Sequence, residues 1–281
     1  MDDKILEKKK IGLIAGNGEF PLFFARFARK EGHSIIAAAI KEETKPELEN
    51  EVDGIYWLHL GQLKKLIDIF KSENIREAVM AGQVKHFRLF DVLKLDSSAV
   101  ALLSRLKDKR ADSILKGVAD ELGKHGIKLM DSTRFLSSFL PAKGILTSLK
   151  PTKDQWKDIR FGYEIAKNVA GLDIGQTVVV KDRAVLAVEA MEGTDVTIKR
   201  GGKFAKKGAV VVKVSKPRQD RRFDIPIVGE RTIKVLREAG ISVLAFSAGS
   251  TLLLEKELVV KEAKKSKVCL VAVDDTILED F

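Results

Sequence analysis

Residues 216–224 carry four cations and two carboxylates in nine positions, and the run then ends on the apolar Ile225-Pro-Ile-Val-Gly229. Interleaved acids and bases suit a core poorly, because every buried charge has to be matched. They are well suited to holding a metal ion and a phosphate group together. Pro226 disfavours a helical conformation at Ile225, so the expected conformation is extended. Side chains alternate along a strand. Asp220, Arg222 and Asp224 would then share one face, with Arg221, Phe223 and Ile225 on the other.

A second acidic group lies upstream. Glu189, Glu192 and Asp195 fall within seven residues at the end of an apolar run. Alone they read as an exposed acidic turn. Beside Asp220 and Asp224 they become candidate oxygen ligands for Mg²⁺ or Mn²⁺, hard cations that keep several waters and bridge to substrate phosphate. The metal candidates are therefore Asp224, Glu189, Glu192 and Asp195. Thr194 and Arg200 are candidate substrate contacts beside them, and Lys216, Arg218, Arg221 and Arg222 supply further donors to phosphate.

Near the start, Gly16-Asn17-Gly18 joins an apolar run to a helical pattern. Backbone N–H groups and the helix dipole can hold a phosphate at such a junction. The spacing is similar to the dinucleotide fingerprint G-x-G-x-x-G, with Pro21 at the third glycine. A phosphate cradle and a plain tight turn both fit. Glu42 and Glu43 follow the next strand, where an acidic ribose contact would lie. Gln83 and His86 complete the candidate substrate contacts. The other histidines, His33, His59 and His125, are scattered and form no H-x-x-x-H pair. Cys269 is the only cysteine, which excludes an intrachain disulfide and a cysteine zinc site.

The elements that must position these residues alternate between strand and helix. Strands are expected at 11–16, 34–40, 55–58 and 77–81, with helices at 21–30 and 62–71. Phe20, Phe23, Phe24 and Phe27 follow the i, i+3, i+4, i+7 spacing of a buried helix face. Such alternation predicts a parallel sheet. Residues 84–106 mix apolar side chains with bases and fit either a core helix with its lead-in or a surface for lipid chains. A helix follows at 110–123. Loop-like Pro141-Ala-Lys-Gly144 and Lys150-Pro-Thr-Lys153 place a boundary near 135–145, giving domains at 1–138 and 139–281. The second half opens with a helix at 154–169, N-capped by Thr152. Strands are expected at 176–181, 184–190, 209–215, 243–246 and 268–273, with helices at 231–239 and 257–265.

The 281 residues suffice for one large or two ordinary domains, and 45% are apolar, enough for a sizeable core. No stretch approaches the ~18–20 apolar residues of a membrane span, and the first ten residues lack the apolar run of a secretory signal. A cytoplasmic location is the expectation. Only four Asn and five Gln accompany the many Lys and Glu, which fits a heat-adapted protein. The net charge of +10 fits a charge-rich surface or an anionic partner. The charge is spread along the chain with no aromatic-studded basic motif, so nucleic acid ranks below a small anionic ligand.

Four segments resemble the LpxI family, the UDP-2,3-diacylglucosamine pyrophosphatases: Ile11-Gly-Leu-Ile-Ala-Gly-Asn-Gly-Glu-Phe-Pro21, Leu172-Asp-Ile-Gly-Gln-Thr-Val-Val-Val180, Val185-Leu-Ala-Val-Glu-Ala-Met-Glu-Gly-Thr-Asp195 and 216–229. Arg110-Ala-Asp112 is similar to a family segment that usually carries two adjacent acids, with Ala111 in place of one. The resemblance implies an α/β protein with an N-terminal Rossmann-like parallel-sheet domain, a C-terminal α/β domain and the active site between them. It implies a hydrolase of lipid A biosynthesis that cleaves UDP-2,3-diacylglucosamine to lipid X and UMP with a divalent metal, usually Mg²⁺. Asp224 maps to the essential acid, with Asp220 as its neighbour; on the residue-level reading Arg222 and Lys216 join them as catalytic groups that neutralise charge developing on phosphate. The positive charge then fits peripheral association with an anionic inner-membrane surface, and a homodimer is compatible with the chain. Two other classes stay open: a Rossmann-type nucleotide-binding oxidoreductase or sugar-nucleotide enzyme, and a non-catalytic lipid-binding protein.

Overall fold

The computed structural model describes residues 9–83, 95–108, 110–217 and 219–279. His86, Arg218 and residues 84–94 of the basic-apolar segment lie outside them. The chain divides into two compact units, residues 1–136 with 221–223, and residues 137–220 with 224–281.

The first unit is built on β1 (Lys10–Ala15), α1 (Phe20–Lys30), β2 (Ser34–Ile40), β3 (Gly54–Leu58), α2 (Leu63–Ser72), β4 (Glu77–Ala81), α3 (Ser97–Arg105), α4 (Ala111–Lys124) and β5 (Lys128–Leu129). Its strands lie in the order β3-β2-β1-β4-β5, all parallel. The central strands are buried, as the unbroken apolar runs at 11–15 and 35–40 require. Phe20, Phe23 and Phe24 of α1 are buried as their spacing predicts. Below β1, Gly12 has the Phe70 ring of α2 where a Cβ would stand, 2.8 Å away, so glycine lets helix and strand close together. In α3, Ala99 is buried and Leu102 lies against Gly117 of α4, while Val100 faces solvent.

The second unit comprises β6 (Gly144–Ile145), α5 (Lys153–Gly171), β7 (Thr177–Lys181), β8 (Ala184–Val188), α6 (Thr194–Ala205), β9 (Ala209–Lys213), β10 (Ile227–Val228), α7 (Glu230–Glu238), β11 (Ile241–Ser247), β12 (Leu252–Leu253), α8 (Lys256–Lys265), β13 (Cys269–Val273) and α9 (Asp275–Glu279). Its main sheet is mixed, in the order β6-β13-β11-β9-β7-β8. Strands β9, β11 and β13 are parallel, whereas β6, β7 and β8 each run antiparallel to a neighbour. One face (Val178, Val180, Val210, Val212, Val243) packs on Trp156, Ile159, Tyr163 and Ala166 of α5. The other (Val179, Val211, Leu244, Phe246) packs on Ile198 of α6, Leu236 of α7 and Val259 of α8. Thr152 caps α5 through a capping box with Gln155. The buried carboxylate of Asp158 accepts from the N–H groups of Asp182 and Arg183, at 3.1 and 2.7 Å, and so fixes the β7–β8 turn, where both residues have positive φ.

Two sequence expectations need correction. The stretch at 220–224 is not extended. Residues 221–223 form a turn closed by the Asp224 N–H donating to the Asp220 carbonyl at 3.2 Å. Strand pairing begins only at Ile227. Pro226 constrains Ile225 alone, so nothing local kept the preceding residues straight. Within the first unit, the Ser132 N–H and hydroxyl both donate to the Arg221 carbonyl (2.9 and 2.8 Å), and Phe223 packs on the core formed by Ile36, Leu66 and Phe70.

The second correction is α6, where no element is expected from sequence. Its β-branched residues and the Gly201-Gly202 pair are weak helix formers. Packing explains them. A Cβ on Gly201 would stand 2.5 Å from Val179 Cβ, and one on Gly202 would stand 2.3 Å from the Ala239 carbonyl oxygen. Only glycine lets α6 lie this close to β7 and to the end of α7.

Candidate active site

The parallel strands of the second unit end at Lys213, Ser247 and Val273. Because β7 runs antiparallel to β9 and β8 antiparallel to β7, the start of β7 and the end of β8 reach the same edge. Ligands of open α/β sheets bind outside the carboxyl ends of the strands. Gln176, Glu189, Thr194, Lys213, Ser215 and Lys216 all belong to this edge or to the turns leaving it.

Asp224 is held here at several points. Gln176 Nε2 donates to Asp224 Oδ2 at 3.0 Å. Lys216 Nζ stands 3.6 Å from the same oxygen and 2.6 Å from Asp173 Oδ1. Gln219 Nε2 donates to the Asp224 carbonyl at 2.6 Å, and Gln219 Oε1 accepts from the Lys216 N–H at 2.6 Å. The lysine and the carboxylate thus share one half-buried brace.

Gln176 continues the chain to the upstream acids. Its N–H donates to Glu189 Oε2 at 3.3 Å, and Thr194 Oγ1 donates to Glu189 Oε1 at 2.8 Å. Lys213 Nζ donates to Thr194 Oγ1 at 2.8 Å. Gly175 makes this possible, since a Cβ there would stand 2.0 Å from the Glu189 carbonyl oxygen. The Gln176 Oε1 atom is buried and has no hydrogen-bond partner among the described residues.

The other expected residues are engaged elsewhere. Arg200 Nη2 donates to Glu192 Oε1 at 2.6 Å and to the Val188 carbonyl at 2.7 Å. Backbone N–H groups and this guanidinium hold the Glu192 carboxyl below the usual carboxylate range. Asp195 pairs with Arg231 at 2.8 Å. Asp224, Glu189, Glu192 and Asp195 do not converge. Among the described residues no three His, Cys, Asp or Glu side chains are grouped so as to hold a metal ion. The Asp224 carboxylate, 35% exposed, is open to a hard cation that keeps most of its waters. Asp220 contributes its carbonyl to the turn, and the Arg222 guanidinium lies 5.0 Å from the centre of the Phe223 ring.

In the first unit, Gly16, Asn17, Gly18 and Gln83 come together where the strand order reverses, between β1 and β4. Their backbone groups are largely consumed by one another. The Gly16 N–H donates to the Ala81 carbonyl (2.8 Å), and Asn17 and Gln83 exchange both backbone bonds at 2.7 and 3.0 Å. A Cβ on Gly16 would meet the Gln83 oxygen at 2.6 Å. Gly18 has φ +99° and open space beside it. Asn17 Nδ2 donates to the buried Glu43 at 3.3 Å, so that carboxylate is tied to the loop itself.

Sequence reasoning missed Asp173, Gln176 and Lys213. Lys213 had a signal: it is the one charge in the run Ala209-Val-Val-Val-Lys-Val214. Asp173 and Gln176 lie in the family-like segment Leu172–Val180, but nothing local gave them a role, since their partners are distant in sequence.

The LpxI N-terminal domain matches residues 10–139 and the LpxI C-terminal domain matches residues 142–271. The chain belongs to the LpxI family. A curated LpxI relative from Caulobacter vibrioides, named as UDP-2,3-diacylglucosamine pyrophosphatase, is 28% identical over 277 residues, covering 95% of this chain and 98% of its own. Among solved structures, an ADP complex of N5-carboxyaminoimidazole ribonucleotide synthetase aligns at 16% identity with a TM-score of 0.29, covering 63% of this chain and 33% of that one. The biotin carboxylase domain of Hydrogenobacter thermophilus 2-oxoglutarate carboxylase aligns at 13% identity with a TM-score of 0.28, covering 70% and 41%. This chain thus spans less than half the length of either, and similarity this low carries no argument about function. The two-domain α/β architecture is the one the LpxI domains describe. No helix among the described residues is long and apolar enough to cross a membrane.

Proposed function

We propose that this LpxI-family protein hydrolyses the pyrophosphate of UDP-2,3-diacylglucosamine, giving lipid X and UMP in lipid A biosynthesis. The observation that carries the reading is the bracing of Asp224 by Gln176 and Lys216 at the sheet edge. A fixed carboxylate can orient an attacking water and accept its proton. A lysine beside it can offset charge developing on the phosphoryl oxygens. Gln176 prevents the carboxylate from collapsing wholly onto Lys216.

Water would attack the phosphorus next to the sugar. The bridging oxygen then leaves with UMP, and the water oxygen enters lipid X. Mg²⁺ or Mn²⁺ would be held by Asp224 and its own retained waters, and when bound it would supply Lewis-acid stabilisation of phosphate charge. Asp220 is proposed to contact the remainder of the substrate. The net charge of +10 supports docking on an anionic membrane surface, where the lipid substrate resides.

The test is UMP release from UDP-2,3-diacylglucosamine in mixed micelles, with Mg²⁺ and with chelator, for wild type and Asp224→Ala. Release by wild type that is lost in the variant supports the reading. Undiminished release by a folded Asp224→Ala protein overturns the role of Asp224. Label from ¹⁸O-water should appear in lipid X; label in UMP would move the attack to the other phosphorus.

A further inference from the structure

Lys213 is the buried cation that the reading above leaves unused. It ends the strand Ala209-Val-Val-Val212, whose other residues are fully buried, and is itself 8% exposed. Its ammonium donates one hydrogen bond, to the Thr194 hydroxyl, and that is its only partner among the described residues. An ammonium has three N–H donors, and a buried cation with unfilled donors is unfavourable unless an anion matches it. Glu189 does not touch it. Thr194 spends its hydroxyl proton on Glu189 and offers a lone pair to Lys213, so the carboxylate orients the hydroxyl and the hydroxyl fixes the ammonium.

The fixed position is informative. Lys213 is paired in register with Thr177, next in sequence to Gln176, whose amide holds Asp224. It therefore stands at the carboxyl edge of the sheet, in the same polar chain as the braced carboxylate. Two residues on in sequence, the Ser215 hydroxyl lies 2.9 Å from that of Ser250, adding neutral hydrogen-bonding groups to the same edge. Lysine serves as a point-charge ligand for phosphate.

We infer that Lys213 is a substrate-binding residue whose ammonium receives a phosphate oxygen of the pyrophosphate, tethered for this by Thr194 and Glu189. This rests on the pyrophosphatase reading for the identity of the anion but not for its existence. A lysine kept only for the fold behaves differently: its replacement by Met removes the hydrogen bond to Thr194 and lowers stability, without consequence for ligand.

The test compares wild type, Lys213→Met, Lys213→Arg and Thr194→Val in the UMP-release assay and in thermal unfolding with and without inorganic pyrophosphate. The expected result for Lys213→Met is a fall in kcat/KM on the order of 10²-fold, the loss expected for a charged hydrogen bond. Its unfolding temperature should not fall, and the pyrophosphate-induced rise seen in wild type should vanish. Lys213→Arg should recover part of both. A folded Lys213→Met protein with wild-type kcat/KM and wild-type pyrophosphate response overturns the inference. If that variant does not fold, Thr194→Val decides: it keeps the charge and cuts the tether, so KM must rise, and an unchanged KM overturns the inference. If wild type releases no UMP yet shows a Lys213-dependent pyrophosphate response, the reaction assignment falls and the anion site stands.

Discussion

Two sheet edges of this protein hold polar loops, and they differ in what is left over. In the first unit the loop at Gly16–Gly18 closes on Gly82 and Gln83, and its backbone donors and acceptors mostly satisfy one another. In the second unit the edge carries, among the described residues, a buried ammonium with one hydrogen-bond partner, a buried amide oxygen with none, and a carboxylate braced between a lysine and an amide. The glycine motif is the more familiar signature, yet its glycines are explained by close backbone approach. The second edge carries no named short motif, yet it retains unmatched capacity for an anion and a cation. Unmatched buried polarity is costly, so it marks a ligand site better than glycine spacing does.

The contrast can be broken or sharpened by substitution. The largest effect is expected at Asp224→Ala, which should lower the rate of UMP release by on the order of 10³-fold with an unchanged circular dichroism spectrum. A loss below tenfold would remove the second edge from the chemistry. Gln176→Leu should lower kcat by roughly 10–100-fold, because the orientation of Asp224 depends on its amide. Steady-state kinetics giving a pure KM effect would show instead that Gln176 contacts substrate only.

Smaller effects should fall on stability. Gly16→Ala and Gly201→Ala should each destabilise by about 1–3 kcal/mol, since both place a Cβ within 2.6 Å of a neighbouring atom; urea denaturation reads this directly. If Gly16→Ala instead keeps full stability and loses activity, the first edge is a ligand cradle after all. The smallest effect is expected at Glu192→Gln, below about 1 kcal/mol for a largely exposed pair with Arg200. Its pH dependence has a definite sign. The folded-state pKa of Glu192 is lowered, so its contribution is present above the unfolded pKa and is lost as pH falls through the folded one. Wild type and variant should differ at neutral pH and converge in acid, as midpoints of thermal unfolding measured across pH will show.

Much of the fold was legible because local periodicity and burial agree. The phenylalanine spacing of α1 and the continuous apolar strands β1, β2, β9 and β13 fix both type and position. The β7–β8 pair could likewise be read as two apolar runs meeting at Asp182-Arg183. What failed did so for a physical reason. Helix α6 has poor intrinsic propensity and exists because its glycines admit contact with Val179 and Ala239. Residues 220–224 have an alternating charge pattern that suits a strand, but the Asp224 N–H reaches the Asp220 carbonyl and closes a turn.

By itself the sequence determined the α/β class and the family, and marked Asp224 and Glu189 as candidates, because those readings depend on residue type and near-neighbour spacing. The tertiary structure alone decided which acids work together. Glu192 and Asp195 pair with arginines, while Gln176 joins Asp224, 48 residues away in sequence, to Glu189. Such choices depend on strand register and on how closely glycine lets backbones approach, and both are set by long-range packing that no local pattern records.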